Sequence, residues 1–377
     1  MRMLNERGEM IENEIVLEID GRQHKHWQSY DIDSDFLIPA DSFNFELGKS
    51  AQMQTLPNFA GKSAVVKING ETILTGIVDT VHHRLSKNGR GYSLNGRDKA
   101  SLLLDCSAPL TNVKGLTLLE AVKKIVNPLG IKQVVLKAEH NPTLDKVDID
   151  VGESAWEAIM RCANFAGLHC WFEPKGVLMI GGADYSSSPV ATLYLSATEP
   201  SKNNISEANL TFDVSQSYSE VTFLAQTHGR ENDHGKHNLK WTYQHPGLGV
   251  YKPKTVVLSD VDNLEALKKQ AKKQIADWQL DNFNLTVMVS DHKTQGGQLW
   301  QPGQRVHIVI EEYDIDAIFF LMGRRFTLSR SAGTQTELRF KQDGIWTPDA
   351  YKSKADKARK RKGKKRKEDL VGSWELQ

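Results

Sequence analysis

Arg97, Asp98 and Lys99 stand side by side in the stretch LNGRDKASLLLDC. A carboxylate between two cations could serve acid–base chemistry, or it could fix the corner between two elements. A second group is His228, His234, His237 and His245, interspersed with Glu231 and Asp233. Neutral imidazoles and carboxylates can ligate zinc or a harder metal. Their spacing matches no closed tetrahedral pattern, and the Gly/Asn-rich segment reads as a solvated loop, so no metal is expected. The chain carries no GxSxG elbow, no GxxxxGK(S/T) phosphate loop and no HExxH pair. No cofactor and no catalytic residue is assigned on this evidence. Cys106, Cys162 and Cys170 are an odd number without a CxxC pair, which reads as small buried hydrophobes and not as a disulfide framework.

The third candidate is electrostatic. Residues 352–367 hold eleven Lys/Arg against one acid, a charge of +10. The remaining 37 basic and 46 acidic residues leave the body at −9, so the overall +1 conceals a basic tail on an acidic body. A run of like charge cannot bury a core. Lys360, Arg361, Lys362, Lys364, Lys365, Arg366 and Lys367 are read as a docking segment for a partner, with Trp374 as a small apolar anchor behind them. A solvated tail that merely aids solubility is the first alternative, and phosphate neutralisation on DNA the second, which is weakened because no aromatic is interleaved to stack on bases.

The elements that position these groups fall into blocks. The first hundred residues alternate apolar and polar positions, as at Ile15, Leu17 and Ile19, or Phe43, Phe45 and Leu47. Turns are expected at Asp20-Gly21, Asn69-Gly70, Asn88-Gly89 and Asn95-Gly96. Past the last of these, Asp98 is expected to cap a short helix over 99–104, with Arg97 paired to a neighbouring carboxylate. Two capping boxes follow: Thr117 with Glu120 before Leu118, Val122, Ile125 and Val126, and Ser154 with Glu157 before a helix over 155–166. HCWFEPKGVLMIG reads as a hairpin turned at Pro174-Lys175-Gly176. Strand texture returns at Leu193. It is interrupted by one long helix with Leu264, Leu267, Ala271, Ile275 and Trp278 on a stripe, after which four strands run to about residue 342.

The fold class is therefore α+β and strand-rich. It comprises a barrel-like unit over 1–104, an α+β unit over 105–190, a second barrel-like unit with the long helix over 191–348, and a basic tail over 349–377. No apolar run reaches the ~20 residues a membrane helix needs. MRMLNERGEMIENE lacks a signal-peptide core, so synthesis and folding in the cytoplasm are expected.

GRDKASLLLDCSA, TLLEAVKKIVNPLGI, VGESAWEAIMRCANFAGLHCWFEPKGVLMIG, GQLWQPGQRVHIVI and TQTELRF resemble, in this order, stretches of the phage Mu tail protein P family. The resemblance covers about 14–367. It leaves out the N-terminal extension and the histidine-bearing loop at 228–245. It implies a structural baseplate hub: a homotrimer whose two barrels per chain make a six-barrel ring. That ring joins the tail tube to the spike, with wedge proteins as further partners and DNA only in transit. The spike protein of type VI secretion, VgrG, looks like the same design. On this reading the protein sits in the virion, after assembly in the host cytoplasm, and has no enzymatic activity. Arg97, Asp98 and Lys99 become a structural junction. The alternatives are a hub of a phage-derived injection apparatus, a tail-associated cell-wall hydrolase, or a DNA-binding protein.

Overall fold

Left-handed turn residues set the first sheet. The computed structural model describes residues 13–347 apart from 26, 48–57, 88, 112, 227–237, 259–260 and 262. Asp20 and Gly21 (φ 49° and 79°) reverse β1 (Ile15–Ile19) into β2 (Arg22–His24). β3 (Trp27–Asp35) and β4 (Ser42–Leu47) follow. Asn69 and Gly70 (φ 51° and 83°) turn β5 (Ser63–Ile68) into β6 (Glu71–Ser86), the positive-φ pair that a right-twisted hairpin favours. β7 (Gly89–Asp98) returns along β6, with Ser86 opposite Gly89. In β4, Phe43 and Phe45 are buried between exposed Ser42, Asn44 and Glu46, the period of two that one covered face demands.

One expected turn is absent. Asn95 and Gly96 lie inside β7, paired to β4 on one side and β6 on the other. A Cβ at Gly96 would sit 2.2 Å from Phe43 Cζ and 2.3 Å from the Ile77 carbonyl oxygen. The glycine marks a close approach of ring and backbone, not a corner. Partners on both edges overrode the local turn preference.

The middle region contains α1 (Ala100–Asp105), β8 (Val113–Thr117), α2 (Leu118–Val126), β9 (Val134–Lys137), β10 (Thr143–Val147), α3 (Ala155–Phe165), β11 (His169–Phe172) and β12 (Leu178–Gly181). Both capping boxes form. The Thr117 N–H donates to the Glu120 carboxylate at 2.9 Å and the Ser154 N–H to Glu157 at 3.0 Å, with the reciprocal bonds to the hydroxyls. Leu118, Val122 and Ile125 of α2 meet Ile159, Cys162 and Ala163 of α3 in one apolar cluster. Gly176, at φ 76°, turns the β11–β12 hairpin.

The last region contains β13 (Thr192–Leu195), β14 (Glu207–Phe212), β15 (Glu220–Gln226), β16 (Asn238–Gln244), β17 (Pro253–Leu258), α4 (Leu264–Asp281), β18 (Phe283–Val289), β19 (Arg305–Ile310), β20 (Ile315–Ser329) and β21 (Gly333–Gln342). β15, β16 and β17 form a small sheet of their own. Val221, Phe223 and Ala225 of that sheet pack on Leu267, Ala271 and Ile275 of α4, a core apart from the rest. Leu264 of the expected stripe stays 43% exposed, since it opens the helix before the sheet begins to cover it.

In the middle region β8 pairs with β10, and β11, β12 and β9 form a three-stranded sheet; the remaining strands join one 13-stranded sheet, ordered β14-β18-β21-β20-β3-β4-β7-β6-β5-β1-β2, with β19 and β13 branching from β20. The sheet belongs to both ends of the chain, and so does its core: Leu17, Ile32 and Phe45 share one apolar cluster with Leu285, Phe326 and Phe340. Gly96→Ala is expected to destabilise the protein by ~1–3 kcal/mol, the usual penalty of overpacking. Gly247→Ala, with open space around it, should change stability by less than ~0.5 kcal/mol. Urea midpoints of the two variants check this.

Candidate functional site

The triplet Arg97, Asp98 and Lys99 does not converge on a common point. A bulge between Val78 and Thr80 in β6 frees Asp79, whose carboxylate meets Arg97 Nε at 2.6 Å. Arg97 Nη2 also reaches Asp105 of α1 at 2.7 Å. These bonds raise the guanidinium pKa and lower that of Asp105. Asp98 turns inward, 6% exposed, and its carboxylate accepts the Ala100 N–H at 2.9 Å at the start of α1. The Lys99 stem lies over Gly176, where a Cβ would come within 2.9 Å of Lys99 Cε. One residue thus holds the strand, the next opens the helix, and the third covers the neighbouring hairpin.

A denser ionic array lies where β3 meets β20. Tyr30 and Ile32 of β3 face the core, which puts Asp31, Asp33 and Asp35 on the opposite face. Arg325 Nε donates to Asp31 at 2.8 Å. Arg339 of β21 donates to Asp33 and approaches Asp35 at 3.1 Å. Gly323 lies between the partners in the sheet, and a Cβ there would be 2.3 Å from Asp35 Oδ2 and 2.7 Å from Arg339 Nε. The glycine lets a carboxylate and a guanidinium meet across an intervening strand.

Beneath this array Arg324 is buried, 1% exposed. Its Nη1 donates to the Ile32 carbonyl at 3.2 Å, Nη2 lies 3.5 Å from the Ile73 carbonyl, and the guanidinium carbon stands 4.1 Å above the Phe326 ring. Burial lowers its pKa to about 10, so the cation persists at neutral pH. Burial raises Asp41 to about 6, and burial together with the nearby Asp41 carboxylate holds Asp98 well above the usual carboxylate range. These three groups line a cleft of about 550 Å³ between the two halves of the sheet and the middle region.

A buried relay completes the site. Thr336 Oγ1 donates to the Asp291 carbonyl at 2.8 Å, so it accepts from His292 Nδ1–H at 2.7 Å. His292 Nε2 is then the acceptor for the Tyr30 hydroxyl at 2.8 Å. His292 is fully buried, and burial, with Arg324 nearby, lowers its pKa to about 3. The geometry looks catalytic, but no substrate reaches a ring with 0% exposure; its bonds tie β3 to β21.

The other sequence candidates are not brought together here. His228, His234 and His237, with Glu231 and Asp233, lie outside the described residues, as do Lys360, Arg361, Lys362, Lys364, Lys365, Arg366, Lys367 and Trp374. His245 is half-buried, and its Nδ1 accepts the Gly247 N–H at 3.1 Å. Cys162 and Cys170 are buried in the middle core, whereas Cys106 is partly exposed at the end of α1. Sequence reasoning missed the ionic array, although DIDSD places three acids at a spacing of two and the strands GRRF and ELRF supply Arg325 and Arg339.

Removing Arg339, which serves Asp33 and Asp35, should cost more than removing Arg325, which serves the more exposed Asp31. For Arg339→Met about 2 kcal/mol is expected, and for Arg325→Met at most ~1 kcal/mol, by urea unfolding. His292 binds its proton less readily in the native state than in the unfolded chain. Its contribution is therefore present above an unfolded pKa of about 6.5 and is lost as pH falls toward about 3. In His292→Gln, the slope of unfolding free energy against pH between these values should be shallower by up to ~1.4 kcal/mol per unit.

Four family models match consecutive parts of the chain. They are Mu phage baseplate assembly protein GpP-like, N-terminal, over 14–98; baseplate hub protein gp44-like, second domain, over 100–182; tail protein NMB1110-like, third domain, over 217–275; and tail protein, C-terminal domain, over 277–345. The crystal structure of the tail protein from Neisseria meningitidis MC58 is 54% identical, covers 90% of this chain and 99% of that one, and superposes with a TM-score of 0.82. The 43 kDa tail protein of prophage MuSo2 from Shewanella oneidensis shares 22% identity at a TM-score of 0.75, over 90% of this chain and 99% of that one. Baseplate hub protein gp44 of Escherichia phage Mu is 22% identical over 83% of each chain. With its sheet, its middle helices and its sequence all aligned to these proteins, the chain belongs to the Mu-like baseplate hub family of phage tail proteins.

Proposed function

We propose that three copies of this chain close a ring that adapts the tail tube to the central spike, and that the protein acts mechanically, without turnover of a substrate. The continuous sheet carries this reading. β20 pairs with β19 through Arg305–Ile310 and with β3 through Tyr30–Asp35, so one chain delivers two wall segments already fixed side by side. Three such chains supply six, the number that matches a six-fold tube to a three-fold spike. A ring of this kind needs a heterologous contact that closes by rotation. Arg97, Asp98 and Lys99 then serve as the structural junction that hangs the middle unit on the first wall. Division near 104 and near 190 separates wall, middle unit and second wall, with the β15–β17 sheet and α4 as a satellite of the second.

The partners in this reading are two further copies, the spike, the tube and the wedge proteins. DNA would only pass through, and an acidic body would keep it from adhering if the acids line the passage. Assembly would take place in the host cytoplasm before incorporation into the virion. Among the described residues no helix is long and apolar enough to cross a membrane. The deciding measurement is solution mass, with and without the candidate spike: three times the 42.4 kDa of one chain is expected. A single chain at high concentration in both conditions would sink the ring. Clearing of peptidoglycan by the purified protein would sink the mechanical reading.

A further inference from the structure

The cleft beside Arg324 has an unusual lining. Six acidic side chains and three cations line it. Asp35 is paired with Arg339 and Asp98 with the Ala100 N–H, which leaves Asp41 and Glu71 of the first unit and Glu173 and Asp184 of the middle unit to face Lys137, Lys175 and Arg324. Arg324 Nε, wholly buried at the cleft wall, has no hydrogen-bond partner among the described residues. A ligand that fits must bring positive charge to the acids and a neutral acceptor to this N–H. A basic peptide brings both, in its side chains and its backbone carbonyls.

The described chain ends at this cleft. Trp346, 1% exposed, stacks at 5.3 Å on Phe36 and lies 6.1 Å from Phe320, two of the lining rings. Ala183, also in the lining, donates its N–H to Thr347 Oγ1 at 3.0 Å, and the Tyr185 hydroxyl holds the Trp346 carbonyl at 2.7 Å. Beyond Thr347, only 348–351 separate this anchor from the basic segment 352–367. Four residues reach at most ~14 Å, so the +10 segment begins within range of the acids.

We propose that the cleft seats the chain's own basic segment, residues 352–367, with lysines and arginines on the carboxylates and a backbone carbonyl on Arg324. This goes beyond the hub reading and does not depend on the ring. It makes the tail an internal ligand that links the second wall to the middle unit.

Hydrogen exchange on the full-length protein tests it, comparing the native sequence with a variant in which Lys360, Arg361, Lys362, Lys364, Lys365, Arg366 and Lys367 are all changed to Gln. Amides at 34–41 and 170–175 should exchange roughly fivefold more slowly in the native protein at low salt. The difference should collapse near ~0.5 M salt. In the reverse arm, Glu71→Lys combined with Glu173→Lys should speed trypsin cleavage within 352–367 severalfold, with circular dichroism confirming the fold. Equal exchange in the first comparison, or unchanged cleavage in the second, overturns the proposal. So does loss of nucleic-acid binding on neutralising the tail while exchange in the cleft stays the same.

Discussion

A single strand with two partners on one side governs this structure. Over Ile315–Phe320, β20 is bonded to β19, and over Gly323–Leu328 to β3, while β21 accompanies it on the other side. The change of partner requires a change of phase. Before the bulge between Leu321 and Gly323, the odd-numbered Phe319 and Leu321 face the shared core; after it, the even-numbered Phe326 and Leu328 do. One extra residue, Met322, reverses which side chains look inward. Without it, Arg325 would point into the core and Phe326 into water. With it, both halves of the sheet keep an apolar inner face, and neither β3 nor β20 is left as an open edge available to stray chains.

The ions around the bulge specify more than they stabilise. Partly exposed pairs such as Arg325 with Asp31 contribute little in water. A slip of one residue between β3 and β20, however, would carry Asp31, Asp33 and Asp35 into the core, where an unpaired carboxylate costs several kcal/mol. Arg324 enforces the same register from inside, because its guanidinium must reach the Ile32 and Ile73 carbonyls at once. The two carbonyls belong to β3 and β6, so a cation from the end of the chain is held by strands from its beginning.

This non-locality explains what the sequence revealed and what it withheld. The turn at Asn69-Gly70, the capping boxes at Thr117 and Ser154 and the long helix depend on residues a few positions apart, and all were legible. Asn95-Gly96 carried an equally good local signal, but β4 and β6 bracket it and the clearance from Phe43 needs a glycine. The pairing of Arg324 with Ser34 joins the first strands to the last ones across most of the chain, and no local pattern encodes it. His292 gave no signal either, since its two partners, Tyr30 and Thr336, come from opposite ends. Arg97 was legible as an ion-pairing residue, but its partner Asp79 became available only through a bulge that alternation does not reveal.

The bulge also couples the wall to the middle region. Phe320 and Met322 face away from the shared core into a second cluster with Trp171, Met179 and Trp346. The Met322 carbonyl accepts the Phe36 N–H at 3.0 Å, which sets the loop leaving β3 against the same cluster. On its far side, the β11–β12 hairpin is held by the Thr75 hydroxyl on the Pro174 carbonyl at 2.7 Å and by the Lys99 stem over Gly176. Displacement of the middle region is therefore opposed at two points, the aromatic cluster on β20 and the hairpin contacts from β6 and from Lys99 at the β7–α1 junction. Both lead back to one sheet whose register is locked by charge. The close-packed aromatic contacts make this path stiff, because packed interiors yield little under strain.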